Sequence, residues 1–600
     1  MKKILFLIVV IVSLTNCSKV LDIPNLTGYD PTLVWNDPNL ANAYLGNIYE
    51  STFGNWTVNA DGQSDQLAGV PFPINNITTV NAGALVTIPA IGNGDWLTNY
   101  NRIRLINQGI VSTNNSTLTQ AVKNNLLGQF YFLRAYTYFG LVRNYGGIPY
   151  LKQPQDRYAD SLNIPRNSTA ESFDFMIQDI DSAILLLPRR ILAASADWGR
   201  IDGNFARAMK GKIMLYKASP QFNPANPWNN KYWNEAYTAT KLAYDSLYAQ
   251  GYRLVGDYGQ IALSERNSEV VFSVTNLFPN KVTSWDNGVR PGSLSRGPAL
   301  TGPTWEMVKA FPMKDGKQYN DPTGLYYSTD VQFLQSYWQN RDPRFDKSVL
   351  WNAKTYPVAG ASTGYRQYTS VGIADALDNF GVNPNTSTKS QNNNRYTGFF
   401  ILKNSNLSLT QAQVQSYDVD YVVMRFAEIM LNYAEAANEM GKSTEAHEML
   451  KQIRQRAGID AGGDGNYGLL LAPSRELMRT QIMNERNIEL CFEGFRFHDL
   501  RRWRRFDVLT GKVKNGVEAI AINPNGSEIP VTAARPLALA NQLTEANFKY
   551  SILRTPQSGV TVNTLPDSYY FAPIQQNIIA AGNKIEQNRD WGGSFNPTLE

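Results

Sequence analysis

Cysteine and histidine are scarce in this sequence of 600 residues, which contains two of each. The cysteines are Cys17 and Cys491, and the histidines are His447 and His498. Two cysteines exclude a disulfide-rich scaffold, and no intramolecular disulfide can form if Cys17 carries a lipid. The CxxC and HExxH spacings of zinc sites are both absent from the sequence. We therefore predict no metal centre and no cofactor, with calcium bound by loop oxygens as the alternative, and we expect side-chain packing to stabilise the fold.

The sequence also lacks a strong excess of charge of either sign. It contains 56 Lys and Arg against 51 Asp and Glu, which gives a formal net charge of +5. Removing an N-terminal leader that contains Lys2 and Lys3 lowers this charge to +3 (5 − 2). Nucleic-acid-binding proteins present a basic patch or stripe, and no block of like charge stands out here. General nucleic-acid binding is therefore not predicted.

Only one long hydrophobic run is present, and it covers residues 4–14. A helix that spans a bilayer needs about 20 apolar residues, so this run is too short and is instead typical of a secretory signal peptide. The sequence LTNC that follows resembles a bacterial lipobox, although Asn16 stands where a small residue is usual. We predict that residues 1–16 are a lipoprotein signal peptide and that Cys17 becomes the lipid-bearing first residue. A plain signal peptide followed by an unmodified cysteine is the alternative.

Amphipathic helical segments dominate two parts of the chain. Apolar residues at helical spacing predict helices over 39–51, 95–110, 126–151, 171–188, 205–220 and 232–248, and again over 422–441, 443–458 and 474–503. Gly146, Gly147 and Pro149 are typical stop signals for the third of these helices. Small residues such as Ala434 and Ala446, placed where helices would cross, favour helix pairs of the tetratricopeptide kind at irregular spacing.

These patterns predict a mainly α fold, in which one scaffold of tetratricopeptide-like helix pairs carries large irregular loop insertions. Length alone would suggest about four domains, but repeat architectures do not follow that rule. We expect helical parts at 17–254 and 421–515. Residues 255–420 are rich in Gly, Pro, Asn, Ser and Thr, and we interpret them as a loop-rich insertion and candidate ligand-binding region. The turn-rich tail at 516–600 is expected to pack on the scaffold.

The segment 485–507, ERNIELCFEGFRFHDLRRWRRFD, contains five acids, six arginines and one histidine. Glutamates 485, 489 and 493 fall at i, i+4 and i+8 of a helix, where like charges repel unless cations pair with them. The arginines of the same segment are the obvious partners, through bidentate contacts. We therefore predict a structural network from these residues: Glu485, Glu489, Glu493, Arg496, Asp499 and Arg501. A catalytic carboxylate pair is the alternative, but carboxylates paired with arginine have lowered pKa values and are poor acids.

Two loops have a composition typical of sugar-binding surfaces. Segments 54–72 and 282–297 each place a tryptophan among polar residues. Sugar rings stack on exposed aromatic faces, and their hydroxyls bind Asn, Asp and Arg. The predicted ligand-binding residues are Trp56, Asp65, Trp285, Asn287 and Arg290. The alternative is that both tryptophans hold their loops against the scaffold, in which case the stretches 319–337 and 365–368 are the next candidates.

A series of short motifs runs along nearly the whole chain. They are CSKVLD at 17–22, RAY at 134–136, YF at 138–139, YGGIP at 145–149, RFAE at 425–428, NYAEA at 432–436, ER at 485–486, EL at 489–490, EG at 493–494, RF at 496–497, DLRRW at 499–503, FAPI at 571–574 and QN at 587–588. In this order they resemble the SusD/RagB family of outer-membrane lipoproteins of Bacteroidetes.

The resemblance implies a right-handed superhelix of four tetratricopeptide repeats and a non-catalytic, nutrient-binding protein on the cell surface. It also implies a partner similar to SusC, a TonB-dependent β-barrel transporter on which the lipoprotein sits as a lid. The glycan-binding residues of the family lie in variable loops, so no ligand residue is assigned by motif. Two other functions remain open from the residues: a repeat scaffold that binds peptides or another non-sugar nutrient, and a glycoside hydrolase, which would need two carboxylates flanking a cleft.

Overall fold

The computed structural model describes residues 31–57, 64–68, 96–156, 158, 162–295, 301–370, 373, 397–471, 473–554, 565–581 and 584–600. The predicted signal peptide at 1–16 and the predicted lipid-bearing Cys17 lie outside the described residues. The helices are α1 Pro31–Val34, α2 Pro38–Thr52, α3 Trp96–Asn115, α4 Gln120–Tyr145, α5 Thr169–Leu186, α6 Gly203–Ala218, α7 Tyr232–Ala249, α8 Trp285–Val289, α9 Trp305–Ala310, α10 Asp330–Ser336, α11 Pro343–Ser348, α12 Phe426–Glu439, α13 Ser443–Ala457, α14 Arg475–Glu489, α15 Arg496–Arg502, α16 Val531–Leu539 and α17 Gln576–Ala581. None of these described helices combines the length and hydrophobicity that crossing a bilayer requires.

The long helices pack side by side in chain order. Each of α3 to α6 packs against the next helix, so that α3 to α7 form one group, and α12 to α14 form a second such group. Helix α7 packs directly against α12, although 176 residues separate the end of one from the start of the other (426 − 249 − 1). The two groups therefore form one continuous helical array, and the predicted mainly α superhelix of tetratricopeptide-like helix pairs is confirmed.

Local signals explain where these helices begin and end. Helix α5 begins with a capping box, in which Ser168 and Glu171 satisfy each other's backbone N–H groups. Helix α4 ends at Gly146, which has a φ of +77°. A Cβ at Gly146 would lie 2.6 Å from the backbone of Pro597, so only glycine fits this stop. The predicted stop is confirmed, although α4 both begins and ends six residues earlier than the predicted 126–151.

Short antiparallel strand pairs hold the loop-rich part of the chain. The strands are β1 Leu67–Ala68, β2 Val270–Val274, β3 Gly302–Pro303, β4 Val349–Leu350, β5 Lys354–Thr355, β6 Arg366–Gln367, β7 Phe400–Ile401, β8 Tyr421–Arg425, β9 Asn515–Ala521 and β10 Phe548–Arg554. They pair as β1–β3, β2–β8, β4–β7, β5–β6 and β9–β10. Pair β2–β8 brings the two ends of the insertion together beside the helical array, because β2 lies near its start and β8 directly precedes α12.

The tail contributes to two hydrophobic cores. The helical array has its own core, to which Tyr570, Phe571 and Ile574 of the tail belong. A second core joins the aromatic residues of the insertion to strands β9 and β10, through residues such as Val517 and Tyr550. The described part of the insertion therefore packs against the tail and the end of α14 through a shared apolar core.

Two helix predictions need correction. The predicted helix 422–441 begins as strand β8 and becomes helical only at Phe426, because residues 421–425 pair with β2. The predicted single helix 474–503 is broken between α14 and α15. Phe492 and Gly494 adopt φ values of +61° and +83°, which a right-handed helix does not accommodate, and the Phe492 ring is buried in the second core.

Candidate functional site

Two glutamates near the end of α14 have fully buried side chains. Glu485 and Glu489 are both 0% exposed, and Glu493 follows in the turn after the helix. Their cations come from other parts of the chain: Arg344 contacts Glu485 (2.6 Å) and Glu489 (2.9 Å), Arg425 contacts Glu489 (2.6 Å) and Glu493 (2.8 Å), Arg454 contacts Glu485 (2.7 Å), Lys403 contacts Glu493 (2.5 Å) and Arg456 contacts Glu489. The three glutamates thus join helices α11, α13 and α14, strand β8 and the loop after β7.

Two further buried acids complete this group. Glu269 contacts Arg425 and Arg456, both at 2.8 Å, and Asp342 contacts Arg344 at 2.7 Å. We call the ten side chains the acid–base network: Glu269, Asp342, Glu485, Glu489, Glu493, Arg344, Lys403, Arg425, Arg454 and Arg456. Five acids face five bases, so the network adds no net charge to the interior. This balance matters because an unpaired buried charge is strongly destabilising.

The predicted structural role of the glutamates agrees with these contacts, but the predicted partners were wrong. The arginines of segment 485–507 do not pair with its glutamates. Arg486 and Arg502 instead hold Asp499, at 3.0 and 2.8 Å. Arg502 also reaches Glu435 on α12 at 2.5 Å. The segment therefore contributes to two groups of ion pairs. Proximity along the chain does not show which acid of the segment belongs to which group.

The two remaining arginines of the predicted motif have different partners. Arg496 makes a bidentate contact with Asp65, with both N–O distances at 2.8 Å. Arg501 is buried and donates to the carbonyl of Tyr570 (2.9 Å) and to the side chain of Asn144 (2.8 Å). Both arginines attach α15 to distant segments, which agrees with the predicted structural role.

The electrostatics of the network disfavour acid catalysis. Burial alone would raise the pKa of Glu485 and Glu493, but the arginines and the lysine around them lower both values below the usual range. The pKa of Glu489 is lowered too, by Arg456, Arg425 and Arg344 against the effect of burial. Carboxylates held ionised in this way do not carry a proton to donate near neutral pH.

The histidines likewise offer no described metal or proton-transfer site. His498 is half-buried, and desolvation followed by repulsion from Arg143 and Arg501 holds its pKa well below the ordinary value. Within the described ranges, no group of three or more His, Cys, Asp or Glu side chains is placed to hold a metal ion.

The predicted exposed aromatic platform is not present in the structure. Trp285 is only 5% exposed and donates its indole N–H to the carbonyl of Lys403 at 3.3 Å. Trp56 is half-buried, and its ring lies 5.6 Å from that of Trp285 and 5.1 Å from that of Tyr421. The two predicted loops do meet, but they meet through an apolar contact that places the rings against each other. The prediction of exposed stacking surfaces is therefore wrong for Trp285.

The polar residues predicted for the same platform are also engaged elsewhere. Asp65 is bound to Arg496, as described above. Arg290 is 1% exposed and contacts Asp286 at 2.7 Å, so the expectation that its side chain reaches solvent is corrected. Asn287 is half-buried on α8. The reason is the same for Asp65 and Arg290. Each side chain forms an ion pair within the protein instead of facing solvent.

The two alternative aromatic stretches, 319–337 and 365–368, are only partly accessible to solvent. Tyr319, Tyr337 and Tyr368 belong to the second core. Tyr327, in contrast, is 54% exposed, and Tyr326 beside it is half-buried. Among the tyrosines named here, Tyr327 is therefore the one that is mostly open to solvent.

A cleft of about 670 Å³ lies elsewhere in the insertion. It opens between helix α11, strand β5, the turn at 259–263 and the loop at 402–408. Sites for small ligands typically have volumes of about 300–1,000 Å³. The wall combines leucines with hydroxyl and amide groups, among them Gln260, Thr355, Asn404 and Ser408. All of it lies within residues 255–420, the region that the sequence singles out for ligand binding.

One wall of the cleft is attached to the acid–base network. We call residues 403–409 the cleft loop. At its start, Lys403 donates to the carbonyls of Glu489 (2.9 Å) and Cys491 (3.0 Å) while its charge contacts Glu493. The lysine is 2% exposed, so the network fixes the position of the loop from the interior.

The other side of the cleft loop is held by an ion pair. Arg290 donates to the carbonyls of Asn406 and, at 2.9 Å, Leu409. Its partner Asp286 accepts a hydrogen bond from the hydroxyl of Ser405. Arg290, predicted to contact the ligand itself, is therefore placed to support a loop that lines the cleft. Sequence reasoning missed the cleft loop because KNSN at 403–406 looks like an ordinary turn.

Comparison with known proteins gives a consistent result. A model of the SusD family matches residues 260–591, and a second family model, described as starch-binding and associating with the outer membrane, matches residues 35–195. Two curated relatives from Formosa agariphila, SusD-like proteins P38 and P2, are each 23% identical to this chain. These alignments cover 65% and 74% of this chain, and 68% and 76% of the relatives.

Solved structures agree with the fold over almost the whole chain. A SusD-like protein from Bacteroides fragilis has a TM-score of 0.69 at 23% identity, covering 94% of this chain and 98% of that one. A SusD-like carbohydrate-binding protein from the same organism has a TM-score of 0.67 at 20% identity, covering 92% and 99%. A laminarin-binding SusD-like protein has a TM-score of 0.56 at 19% identity, covering 92% and 98%.

Proposed function

The chain belongs to the SusD family, whose model covers 332 of its 600 residues (591 − 260 + 1), and on this premise we propose that it captures glycans at the cell surface. It would pass the oligosaccharide to a SusC-like TonB-dependent transporter in the outer membrane. The observation that carries the proposal is the cleft in the insertion, because it presents hydroxyl and amide groups on a rigidly held loop. Relatives described as carbohydrate-binding and laminarin-binding support the choice of ligand.

The composition of the cleft favours binding over hydrolysis. Glycoside hydrolases place two carboxyl groups about 5–10 Å apart on either side of the scissile bond. Among the residues that line this cleft, Asp346 is the only acid, and its carboxylate contacts Lys354 at 3.0 Å. A carboxylate paired with lysine is a poor proton donor. The proposed role is therefore capture without turnover.

We expect the mature chain to bind at least one polysaccharide in a screen of soluble glycans and to release no reducing sugar from it. Binding should be weak to moderate, because hydrogen bonds to sugar hydroxyls replace equally good bonds to water. Affinity electrophoresis measures the first property and a reducing-end assay measures the second. Release of product at a rate proportional to protein concentration would contradict the proposal, and so would a complete absence of binding.

We also propose that the protein is attached to the outer membrane by lipid on Cys17. Replacing Cys17 by serine should move the protein from the membrane fraction to the soluble fraction, because several acyl chains are needed for stable anchoring and the serine can accept none. Cell fractionation followed by immunoblotting measures the distribution.

The matched control for this experiment is Cys491→Ser. Cys491 is fully buried in the second core, so its replacement leaves the anchor intact and the variant should stay with the membrane. Retention of the Cys17→Ser variant in the membrane fraction would overturn the lipid-anchor proposal.

A further inference from the structure

Asn404 is a polar side chain without a partner at the wall of the cleft. It is 8% exposed, and within the described part of the chain its amide makes no hydrogen bond. The amide atoms are not among the fully buried polar atoms that lack a partner, so they are open to the cleft and bind water there until a ligand replaces it. A side chain that is nine-tenths buried but keeps its amide open to the cleft is well suited to a ligand that supplies both a donor and an acceptor.

The position of Asn404 is fixed by its neighbours. Lys403 on one side is bound to the acid–base network, and Ser405 on the other is bound to Asp286. Asn404 itself has a φ of +59°, a left-handed conformation that asparagine tolerates better than most residues. The amide is therefore presented to the cleft by a loop that does not need to reorganise when a ligand binds, which reduces the entropy lost on binding.

The charges around the cleft are balanced. Three charged side chains line it, and each has a partner of opposite sign within the described residues. Lys354 contacts Asp346 at 3.0 Å and also donates to the carbonyl of Val349 at 3.2 Å. Lys347 lies 3.9 Å from Asp257. Among the described residues, two lysines therefore face two aspartates at this cleft, so no net charge is available to hold a carboxylate, a sulfate or an amine.

We infer that this cleft is a subsite for an uncharged, hydroxyl-rich ligand, namely a neutral sugar residue, and that Asn404 binds its hydroxyl groups. The side-chain amide would donate to one hydroxyl oxygen and accept from another, while Leu263 and Leu407 contact the C–H surface of the ring. The inference rests on the proposed function and names both the class of glycan and the residue that selects it.

The test compares two asparagines in the same backbone conformation. Asn404→Gly removes the amide and keeps the left-handed conformation, since glycine adopts positive φ freely. Asn340→Gly is the matched control, because Asn340 also has a positive φ (+51°) but is exposed and lies outside the cleft. The mature full-length variants are tested for binding to two neutral polysaccharides, laminarin and starch, and two acidic ones, alginate and polygalacturonate.

We expect wild-type protein to bind a neutral polysaccharide, Asn404→Gly to weaken its affinity about tenfold, and Asn340→Gly to leave it unchanged. The unfolding temperature of both variants should match that of the wild type, which separates lost contact from lost structure. Equal affinity of wild type and Asn404→Gly for the bound glycan would overturn the subsite while leaving the proposed function standing. Preference for an acidic polysaccharide would overturn the neutral-ligand inference. Absence of binding to all four would count against the subsite and the proposed function together.

Discussion

Replacing Glu489 by alanine is expected to lower the free energy of unfolding by about 3–5 kcal/mol. The carboxylate of Glu489 contacts Arg344 and Arg425 at 2.9 and 2.6 Å, and it also contacts Arg456. Its removal leaves five buried bases facing four acids, so one positive charge remains in the interior without compensation. Urea-induced unfolding, followed by tryptophan fluorescence, measures the loss.

The control for this prediction is the same substitution at an exposed site. Glu528 is exposed, and Glu528→Ala should change the free energy of unfolding by less than about 0.5 kcal/mol. Glu493→Ala is expected to be destabilising as well, because it removes one of the partners of Arg425 and the carboxylate that contacts Lys403. If Glu489→Ala were as stable as Glu528→Ala but had lost glycan binding, the network would be a functional site and the structural assignment would be wrong.

Replacing Arg290 by alanine should affect both stability and ligand binding. We expect a loss of about 3–5 kcal/mol in the free energy of unfolding, because the fully buried carboxylate of Asp286 loses its counter-charge. We also expect weaker glycan binding, because Arg290 donates to the carbonyls of Asn406 and Leu409 and so holds the cleft loop that carries Asn404. Calorimetric titration with the glycan that binds best, at a temperature where the variant is folded, measures the second effect.

The double variant Arg290→Met/Asp286→Asn distinguishes the two possible roles of this arginine. Removing both charges together should be less destabilising than the sum of the single changes, since neither group is then left as an uncompensated buried charge.

If Arg290→Ala lost affinity without any loss of stability, Arg290 would contact the ligand directly, as its sequence context suggested. Loss of stability with full affinity would show that the cleft loop does not depend on this ion pair.

Much of the scaffold was predictable from the sequence because helices are local structures. The spacing of apolar residues placed α5, α6 and α7 to within two residues, and Gly146 marked the end of α4. Strand β8 was misassigned as helix, since the sequence MRFAEIM is compatible with a helical start and only pairing with β2 makes its first part extended. Phe492 could not be identified as a helix breaker, because aromatic residues rarely adopt positive φ and only the packing of its ring in the second core explains it.

The sequence by itself determined the helical scaffold, the family to which the motifs pointed, and the requirement that cations pair with the glutamates of segment 485–507. These three conclusions follow from residue patterns that repeat within a few helical turns, or from short motifs that occur in a fixed order along the chain. Only the tertiary structure decided which cations those glutamates contact, that Trp285 and Arg290 face inward, and that Asn404 lines a cleft. These outcomes depend on contacts between segments separated by tens to hundreds of residues, such as Arg344 with Glu489 and Arg290 with Leu409. Composition cannot tell a loop residue that faces solvent from one that satisfies a buried charge, because the same polar side chain serves either purpose until the chain around it is folded.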